Sequence, residues 1–570
     1  MDRSRTKLVC TIGPASAERI GDLVAAGMDV ARINFSHGTP DEHKAYVHAV
    51  RAAAHSARRS VAVMADLPGP KIRLGELEDG AITLATGATF TLRPSRSAEV
   101  AVIEIPAAPP ETVEIKPDGY ETPEGTEATI EATDVEDAPL AEQEDDSALP
   151  VAEEVVAPDA SDLVDAPSAR DDVDDTAGSA MAVSEPSRPP EALGDASGAS
   201  VSTTTLAAQL QISDRILLAD GAAELRVTAI SGTDVVTEVV HGGQVRTRSG
   251  VNIPSIRLTG DGLTDGDRAA VPRALELRVD LIAQSFVRSA DDVRSLRQML
   301  PADGPRVVAK IETQAAVDAF DEIAQVADGI MVARGDLGVD IPFEAVPLVQ
   351  KDLIRRATRA GRFSIVATQM LESMTSAPRP TRAEASDVAN AVLDGADAVM
   401  LSAETAIGQF PIESLQAMAR ICWSTETDGG DLMRGAEAPT GGSPADEVIA
   451  GATYMALRYA SKDAAALWCF TRSGVTAELL SLQRPGIPII AFTLSPIVAR
   501  RLAVRSGVIP MVLPAAGARD EPLISRMETA WRGQKERTSF DTVVLVTTSR
   551  RAGGVNRVEI HRLSGQAATG

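Results

Sequence analysis

The sequence has little cysteine and no long apolar run. Its three cysteines, Cys10, Cys422 and Cys469, lie far apart among 570 residues and form no CxxC pair. This spacing excludes a disulfide framework and a paired-thiolate metal site, and we expect a reducing, cytoplasmic compartment. No stretch approaches the roughly 18 consecutive apolar residues of a membrane helix. The short apolar run that follows the basic N-terminus is too brief for the core of a secretory signal.

The chain also lacks an excess of positive charge. Its negative charge is concentrated in one segment. The chain has a formal net charge of −26, but residues 98–200 contain 28 acidic and three basic residues, which leaves the remainder nearly neutral. Residues 98–200 also contain 12 of the 34 prolines and one aromatic residue, Tyr120. We therefore predict a disordered insertion there. It would be a tolerated linker or, alternatively, a docking segment for a basic partner or a brake on lid closure. The charge balance provides no footprint for nucleic acid.

The rest of the chain alternates short β-branched runs with Ala/Leu/Arg-rich segments of helical length. Continuous apolar strands that alternate with helices indicate a parallel sheet covered by helices, and eight such units predict an α/β fold of the (β/α)₈ TIM barrel type. The eight predicted strands are 8–12, 30–34, 61–66, 280–284, 307–310, 329–332, 364–368 and 398–401.

About two hundred residues separate the third and fourth of these strands, so a second domain is inserted there. Short segments bounded by Gly, Asp and Ser turns predict that this domain is all-β. Its predicted strands are 82–92, 214–220, 223–230 and 233–240.

A third α/β pattern follows residue 425 and predicts a separate C-terminal domain. Its elements are helices at 444–460 and 475–483 and strands at 465–470, 487–493 and 541–548. The predicted division of the chain is a barrel at 1–73 and 258–427, an all-β lid domain at 74–257, and a C-terminal α/β domain at 428–570.

Charged side chains follow several barrel strands at their carboxyl ends, where (β/α)₈ enzymes place their active sites. Lys310 and Glu312 are two residues apart on one strand, so both point to the same face. Glu312 and Asp336 end neighbouring strands and could share one Mg²⁺, which prefers oxygen ligands and keeps several waters. With Arg32 and Arg73 added, this set predicts a site for phosphoryl transfer. The alternative is an internal salt-bridge network, which would bury many charges without function.

Six ordered motifs resemble the pyruvate kinase family, and the resemblance covers nearly the whole chain outside 98–200. It implies a glycolytic transfer of the phosphoryl group from phosphoenolpyruvate to ADP, and a homotetramer. The motifs are RINFSHG (32–38), DLPGPKIR (66–73), KIE (310–312), GIMVARGDLGVDIP (329–342), ATQMLESM (367–374) and the long segment 378–405.

The resemblance implies a role for each matching charged residue. Arg32 would contact the substrate phosphate, and Arg73 the nucleotide phosphates. Lys310 would stabilise the phosphoryl group in transit and the enolate that it leaves, as a compact point charge. Glu312 and Asp336 would hold Mg²⁺.

Two further roles involve the helix after strand six and the end of strand seven. Gly335 and Asp336 would begin that helix and offer free backbone N–H groups to the substrate carboxylate. Thr368 would position the substrate and take part in protonating the enolate, and a water chain is expected because a hydroxyl is a poor acid.

The family's monovalent-cation site maps onto Asn34, Ser36, Asp66 and the carbonyl of Leu67. Many members have Glu where this chain has Lys71, and in the family the Lys form is independent of K⁺. An ammonium could take the space of K⁺, since two unit charges about 4 Å apart repel by roughly 4 kcal/mol at an effective dielectric near 20. We therefore predict K⁺-independent activity. The alternative is that Lys71 extends into solvent.

In the lid, Ser249 stands where family members often have a lysine for the nucleotide, with Arg246 and Arg248 nearby. Nucleotide contacts in the lid therefore remain open.

In the C-terminal domain, a Ser/Thr/Gly turn precedes a helix and resembles the family's loop for a phosphorylated effector. An ordinary helix N-cap is the alternative. The later loop 551–556 is short, which favours a sugar monophosphate or nucleotide over a sugar bisphosphate. The residues of the turn are Thr471, Arg472, Ser473, Gly474 and Thr476.

Two other functions are compatible with these sequence features. One is another Mg²⁺-enolate barrel, a lyase or aldolase, although such enzymes lack the RINFSHG motif, the lid and the C-terminal domain. The other is a non-catalytic paralogue that senses metabolites, which the intact Lys310, Glu312, Asp336 and Thr368 disfavour.

Overall fold

The computed structural model describes most of the chain outside the acidic segment. The described residues are 3–95, 193–203, 205–219, 221–253, 262–429, 449, 451–453, 465–514, 522–533, 542–547 and 557–563.

Eight parallel strands close into a barrel, in which each strand pairs with the next along the chain and the eighth pairs with the first. The predicted (β/α)₈ barrel is confirmed, and all eight predicted runs are its strands. In order the strands are Lys7–Ile12, Val30–Asn34, Ala62–Asp66, Leu281–Gln284, Arg306–Ile311, Gly329–Ala333, Phe363–Ala367 and Ala398–Leu401.

The strands read as continuous apolar runs because both of their faces are buried. In the first strand, Leu8 and Cys10 pack in the layer beneath the helices, whereas Val9 packs with Val30 and Met64 in a second cluster formed largely by the strands themselves. Successive side chains alternate between these two layers, as the pleat of a strand requires.

Helices surround the barrel, and several begin with a capping box in which a threonine and an acidic residue three positions later satisfy each other's backbone N–H groups. Such caps are formed by Thr39 with Glu42, by Thr264 with Asp267 and by Thr381 with Glu384. The helices are Ile20–Ala26, Pro40–Ser56, Asp265–Glu276, Ala290–Gln298, Gln314–Asp318, Phe320–Val326, Arg334–Asp340, Val346–Arg359, Arg382–Leu393, Ala403–Ala406 and Pro411–Asp428.

In its described residues, the inserted domain contains a seven-stranded sheet, a two-stranded sheet and a short α-helix, Leu206–Gln209. The prediction of one continuous strand at 82–92 was wrong. The chain turns between two strands there, and Gly87 takes a φ of +81° that favours glycine. The sheet order is Ile72–Arg73, Gly250–Asn252, Arg215–Leu218, Ala223–Ser231, Asp234–His241, Thr89–Pro94 and Gly198–Val201, and the small sheet pairs Ala81–Thr83 with Gln244–Arg246.

The end of the acidic segment is part of this sheet. Gly198–Val201 pairs in parallel with Thr89–Pro94, and Ala199 and Val201 are buried. The prediction of disorder was therefore wrong for residues 193–200, because the average composition of the segment concealed a short strand of small residues at its end. For residues 98–192 the prediction lies outside the described residues.

The C-terminal domain contains a five-stranded sheet in which four strands are parallel and the last is antiparallel. Of the helix predicted at 444–460, only 449 and 451–453 are described, and these residues are helical. The domain boundaries given above stay predictions. The sheet order is Val508–Val512, Ile489–Thr493, Ala465–Phe470, Thr542–Thr547 and Arg557–Arg562, with helices Val475–Leu482, Pro496–Leu502 and Leu523–Arg532.

No described helix combines the length and the hydropathy that a membrane span requires.

Candidate active site

Lys310 lies at the centre of a cluster of polar groups at the carboxyl end of the barrel. Its Nζ is 3.0 Å from Glu312 Oε1 and 3.4 Å from Asp66 Oδ1, and it donates to Ser285 Oγ at 2.8 Å. Burial lowers the pKa of Lys310, but Asp66 and Glu312 outweigh it and leave the pKa above its usual value. The buried amine is therefore held in its charged form.

Asp66 joins Lys310 to Arg32, which lies on the neighbouring second strand. Arg32 Nε is 2.6 Å from Asp66 Oδ2, and its Nη1 donates to Thr11 Oγ1 at 3.0 Å. Burial raises the pKa of Asp66, but Lys310 and Arg32 together lower it below its usual range. Asp66 is thus an ionised carboxylate that fixes two cations in place.

Glu312 is almost completely buried and has one oxygen without a hydrogen bond. Its Oε2 accepts from the backbone N–H of Phe286 at 2.7 Å, whereas Oε1 makes no hydrogen bond of acceptable angle within the described chain, although Lys310 is at ion-pair distance. Burial raises the pKa of Glu312, the charge of Lys310 opposes this, and the like charge of Asp336 raises it further. A cation between Glu312 and Asp336 would relieve both effects.

Asp336 is on the short helix Arg334–Asp340, and its partner is Lys71. Lys71 Nζ donates to Asp336 Oδ1 at 2.6 Å, and both side chains are less than one-fifth exposed. The alternative in which Lys71 extends into solvent is therefore wrong. Its ammonium stands beside a carboxylate of the predicted metal pair.

These carboxylates fit a divalent cation of the Mg²⁺ type. Within the described part of the chain, no cluster of three or more His, Cys, Asp or Glu side chains gathers around a point. Two carboxylates with a free oxygen match Mg²⁺, which commonly takes one or two protein carboxylates and completes its shell with water and substrate oxygens.

Thr368 and Gly335 are joined directly. Gly335 N–H donates to Thr368 Oγ1 at 2.8 Å, and the hydroxyl in turn donates to the carbonyl of Ala367 at 2.6 Å. The prediction that Gly335 offers a free N–H was therefore wrong, because the threonine caps it. The two predicted substrate-binding residues do lie together.

The backbone at Thr368 is strained, with φ of +69° there and +53° at Gln369. A positive φ is a genuine outlier for a β-branched residue. Arg334 supports this turn by donating to the carbonyl oxygens of Thr368 at 2.7 Å and Gln369 at 3.2 Å. It is anchored by Asp387 at 2.7 Å.

The sequence reasoning missed Arg334 and Ser285. Arg334 is within the quoted motif 329–342, directly beside Gly335, but its charge was given no role. Ser285 follows the fourth strand, whose polar end was given no role in the sequence-based prediction.

The residues of the predicted monovalent-cation site lie near this cluster, with several of their oxygens already in hydrogen bonds. Asn34 Oδ1 accepts from the backbone N–H of Ser36 at 3.1 Å, and the carbonyl of Leu67 accepts from Ser285 Oγ at 2.7 Å. Asp66 is the carboxylate shared by Arg32 and Lys310.

Arg73 lies at the junction with the lid. Its Nη1 donates to the carbonyl of Arg248 at 3.3 Å, and Arg248 pairs with Glu76 at 3.2 Å. The pKa of His37 is lowered, first by burial and then by Arg73, Arg32 and Arg248. Positive charge therefore dominates this side of the barrel mouth.

The predicted effector turn is formed by residues at the start of helix Val475–Leu482. Thr471 is buried and its Oγ1 accepts from Gly474 N–H at 2.9 Å, while Arg472 and Ser473 are exposed. Gly474 is the residue before the helix, with φ of +98°, and no side chain caps the helix. Glycine is also a common N-cap residue, so the alternative of an ordinary helix N-cap stays a prediction beside the effector site. Loop 551–556 lies outside the described residues.

A (β/α)₈ barrel with a β lid, an α/β C-terminal domain, and a lysine between carboxylates at its mouth has the architecture of a phosphotransferase. The pyruvate kinase barrel-domain family matches residues 3–102 and 141–415, and the pyruvate kinase alpha/beta-domain family matches residues 446–561. This chain belongs to the pyruvate kinase family, whose members generally use Mg²⁺ and K⁺.

Curated pyruvate kinases are similar to this chain over nearly its full length. The pyruvate kinase of Mycobacterium intracellulare is 36% identical over 573 residues, covering 98% of each chain. That of Geobacillus stearothermophilus is 33% identical over 578 residues, covering 100% of this chain and 82% of the relative. That of Clostridium perfringens is 32% identical over 569 residues, covering 98% and 100%.

Proposed function

We propose that the protein is an active pyruvate kinase that transfers the phosphoryl group of phosphoenolpyruvate to ADP, giving pyruvate and ATP in glycolysis. The observation that carries this proposal is the position of the Lys310 ammonium, 3.0 Å from Glu312 and 3.4 Å from Asp66. A charged, buried amine is the group that stabilises a phosphoryl unit in transit, where positioning and charge neutralisation do most of the catalytic work.

Each residue then has a defined task. Arg32, oriented by Asp66, would bind the substrate phosphate, and Lys310 would face the transferring oxygens and the enolate. Glu312 and Asp336 would hold Mg²⁺, which would neutralise phosphoryl charge when bound. Positive charge held in place before the reaction needs no reorganisation during it.

Arg73 and the pair Gly335–Thr368 would complete the site. Arg73 would receive the nucleotide phosphates at the lid junction. Thr368 Oγ1, fixed by Gly335 N–H, would position the substrate and a water that delivers a proton to the enolate. The hydroxyl already donates to Ala367, so water is the better immediate proton donor.

A coupled assay of pyruvate and ATP from phosphoenolpyruvate and ADP, with and without Mg²⁺, tests the proposal. We expect both products in equal amounts and only with Mg²⁺. Binding of phosphoenolpyruvate without turnover would indicate a metabolite-sensing paralogue. Absence of both products, with cleavage of a carbon–carbon bond in a pyruvate-like acid instead, would indicate a lyase or aldolase. Either result would overturn the proposal.

We also propose that turnover does not require K⁺. The support is the ammonium of Lys71, which adds a fixed positive charge 2.6 Å from Asp336, while Asp66 is already neutralised by Arg32 and Lys310. A steady-state assay in sodium buffer, free of K⁺ and NH₄⁺, should give full turnover, and a Lys71→Glu variant should need KCl. Wild-type activity that appears only with KCl would contradict this.

Three properties remain proposals from the resemblance and from local observations. We propose a phosphorylated effector at the turn 471–476, a homotetramer, and a cytoplasmic location. The three cysteines are free and buried, which agrees with a reducing compartment. Light scattering of the purified chain tests the tetramer.

A further inference from the structure

A cavity of about 50 Å³ lies between the amino-terminal end of the barrel and the C-terminal domain, far along the strands from Lys310. Arg306 begins the fifth barrel strand and Arg362 directly precedes the seventh. Helix Val475–Leu482 contributes Glu478. The charged residues that line the cavity are Arg306, Arg362, Arg501, Arg505, Asp328 and Glu478.

The lining has two more cations than anions, and both carboxylates are already paired. Arg306 lies 2.9 Å from Asp328 and 3.5 Å from Glu478. Asp328 also pairs with Arg297 at 2.6 Å, and Glu478 with Arg505 at 3.8 Å. The positive charge of the remaining guanidinium groups is therefore not compensated from within the lining.

Two guanidinium N–H groups of the lining have no acceptor among the described residues, Nε of Arg501 and Nη1 of Arg505. The Arg505 side chain is 6% exposed and its guanidinium stacks 5.2 Å above the ring of Phe363. A buried donor without a partner costs about 1–3 kcal/mol. Burial also lowers the pKa of Arg501, with a further decrease from Arg306. An anion would relieve both costs.

We propose that this cavity binds a small dianion of the phosphate or sulfate type, such as the head group of a phosphate monoester. Its volume is several times the roughly 10–15 Å³ that a single water needs, which suits one oxyanion group. Planar guanidinium groups bind such oxygens in pairs. The site is distinct from the turn 471–476 and from the cluster around Lys310.

An anion there would tie the two domains together. Arg306 is on the same strand as Lys310, four residues earlier. Glu478 is on helix Val475–Leu482, which begins within the turn 471–476. A bound dianion would therefore stabilise the packing of the C-terminal domain on a strand that carries the catalytic lysine.

The first experiment locates the anion. Crystals of the full chain grown with selenate should show an anomalous peak in the cavity, within hydrogen-bond distance of Arg501 Nε and Arg505 Nη1. Ordered water alone in the cavity, with selenate peaks only elsewhere, would overturn the proposal.

The second experiment uses inorganic phosphate in solution and compares thermal shifts among variants. In Arg501→Met, the rise in melting temperature caused by phosphate should be at least several-fold smaller than in wild type. Glu478→Gln, which removes an opposing anion, should strengthen it several-fold. Lys351→Met, at an ion pair with Asp394 outside the lining, is the control and should keep the wild-type thermal shift. Arg501 also binds the carbonyl of Gly304, so if Arg501→Met does not fold, Glu478→Gln decides. A phosphate response that is the same in wild type and Glu478→Gln would reject the site.

Discussion

Lys71 Nζ lies 2.6 Å from Asp336 Oδ1, and this ion pair joins the chain leading into the lid to the helix that follows the sixth barrel strand. The lysine and a divalent cation would therefore compete for the same carboxylate. A Mg²⁺ ion held by Glu312 and Asp336, as proposed, would require the ammonium to share Asp336 or to move away from it. Lys71 thus adjusts the charge of the site in a way that a glutamate at this position could not.

Replacing Lys71 by methionine should strengthen binding of a divalent cation in the absence of substrate. The side chains are 17% and 19% exposed, so water screens part of the attraction, and we expect a gain of about tenfold, or ~1.4 kcal/mol. Electron paramagnetic resonance of free Mn²⁺ measures the dissociation constant directly. Lys351→Met, at a barrel ion pair with Asp394 away from the site, is the matched control. Equal Mn²⁺ affinity in wild type and Lys71→Met would contradict the competition.

Replacing Lys310 by methionine should lower kcat by about 10²–10³-fold, because a fixed charge aimed at the transferring group is lost. The variant also removes the buried cation beside Glu312 and leaves Asp66 with Arg32 as its remaining partner cation, so its melting temperature should fall. Mg²⁺ should recover part of that loss. Steady-state kinetics and thermal unfolding with and without Mg²⁺ provide the two readouts, with Lys351→Met again as the control. A variant with unchanged kcat would remove Lys310 from the mechanism.

The barrel could be predicted from the sequence because both faces of each strand are buried, which forces eight uninterrupted apolar runs. Phe363–Ala367 and Ala398–Leu401 are examples, with every residue buried. The lid was harder to predict. Ile72–Arg73 and Gly250–Asn252 are two and three residues long, and such short strands have no periodicity that a sequence can reveal.

The sequence predicted which residues form the candidate site, but not which of them contact each other. Lys310 and Glu312 share a face because the spacing along a strand is fixed. The contact between Lys71 and Asp336 crosses 265 positions of sequence and depends on how the lid segment returns over the barrel. No local pattern encodes that path, and the same holds for the bond between Gly335 and Thr368.

The hydroxyl of Thr368 should matter more than its methyl group. Thr368→Val leaves Gly335 N–H without its acceptor and removes the group that positions water, so kcat should fall by about 10²-fold, the lower end for a proton-transfer group, and the melting temperature should decrease. Thr368→Ser keeps the hydroxyl and should stay within a few-fold of wild type. Thr375→Val, at an exposed hydroxyl that bonds the carbonyl of Glu372, controls for the substitution. If Thr368→Val turns over as fast as Thr368→Ser, the proposed role is incorrect.

Asp397 should make the attachment of the C-terminal domain sensitive to acid. It is buried and accepts from Arg484 at 3.0 and 2.9 Å and from the backbone N–H groups of Ser506 and Ser364 at 3.0 and 3.1 Å. Burial raises its pKa, but Arg484, Arg505 and the backbone N–H of Ser506 lower it below the usual value of 3.8. A depressed carboxyl pKa stabilises the fold above the unfolded pKa and loses that contribution as the pH falls through the folded one.

Asp397→Asn should therefore lower the melting temperature clearly at pH 7, since breaking a buried pair costs about 3–5 kcal/mol. The gap between variant and wild type should close as the pH falls below 3.8. Asp291→Asn removes a carboxylate that is 85% exposed and pairs with Arg294, and it should differ little from wild type throughout. Calorimetry across this pH range measures the gap. A gap that stays constant to the lowest pH would show that the carboxylate charge does not contribute.

Ser473→Asp should abolish activation by phosphate esters if the turn 471–476 binds an effector. Ser473 and Arg472 are exposed beside the start of helix Val475–Leu482, and Gly474 N–H is already bonded to Thr471. A carboxylate at position 473 would repel a phosphate there without disturbing the buried Thr471. We expect unchanged turnover without effector, and loss of the response to a panel of sugar monophosphates and nucleoside monophosphates. Ser473→Ala, which adds no charge, should retain most of the response because Arg472 remains. Activation that persists at wild-type concentrations in Ser473→Asp would place the effector elsewhere, and the arginine-lined cavity beside Glu478 would then be the site to test.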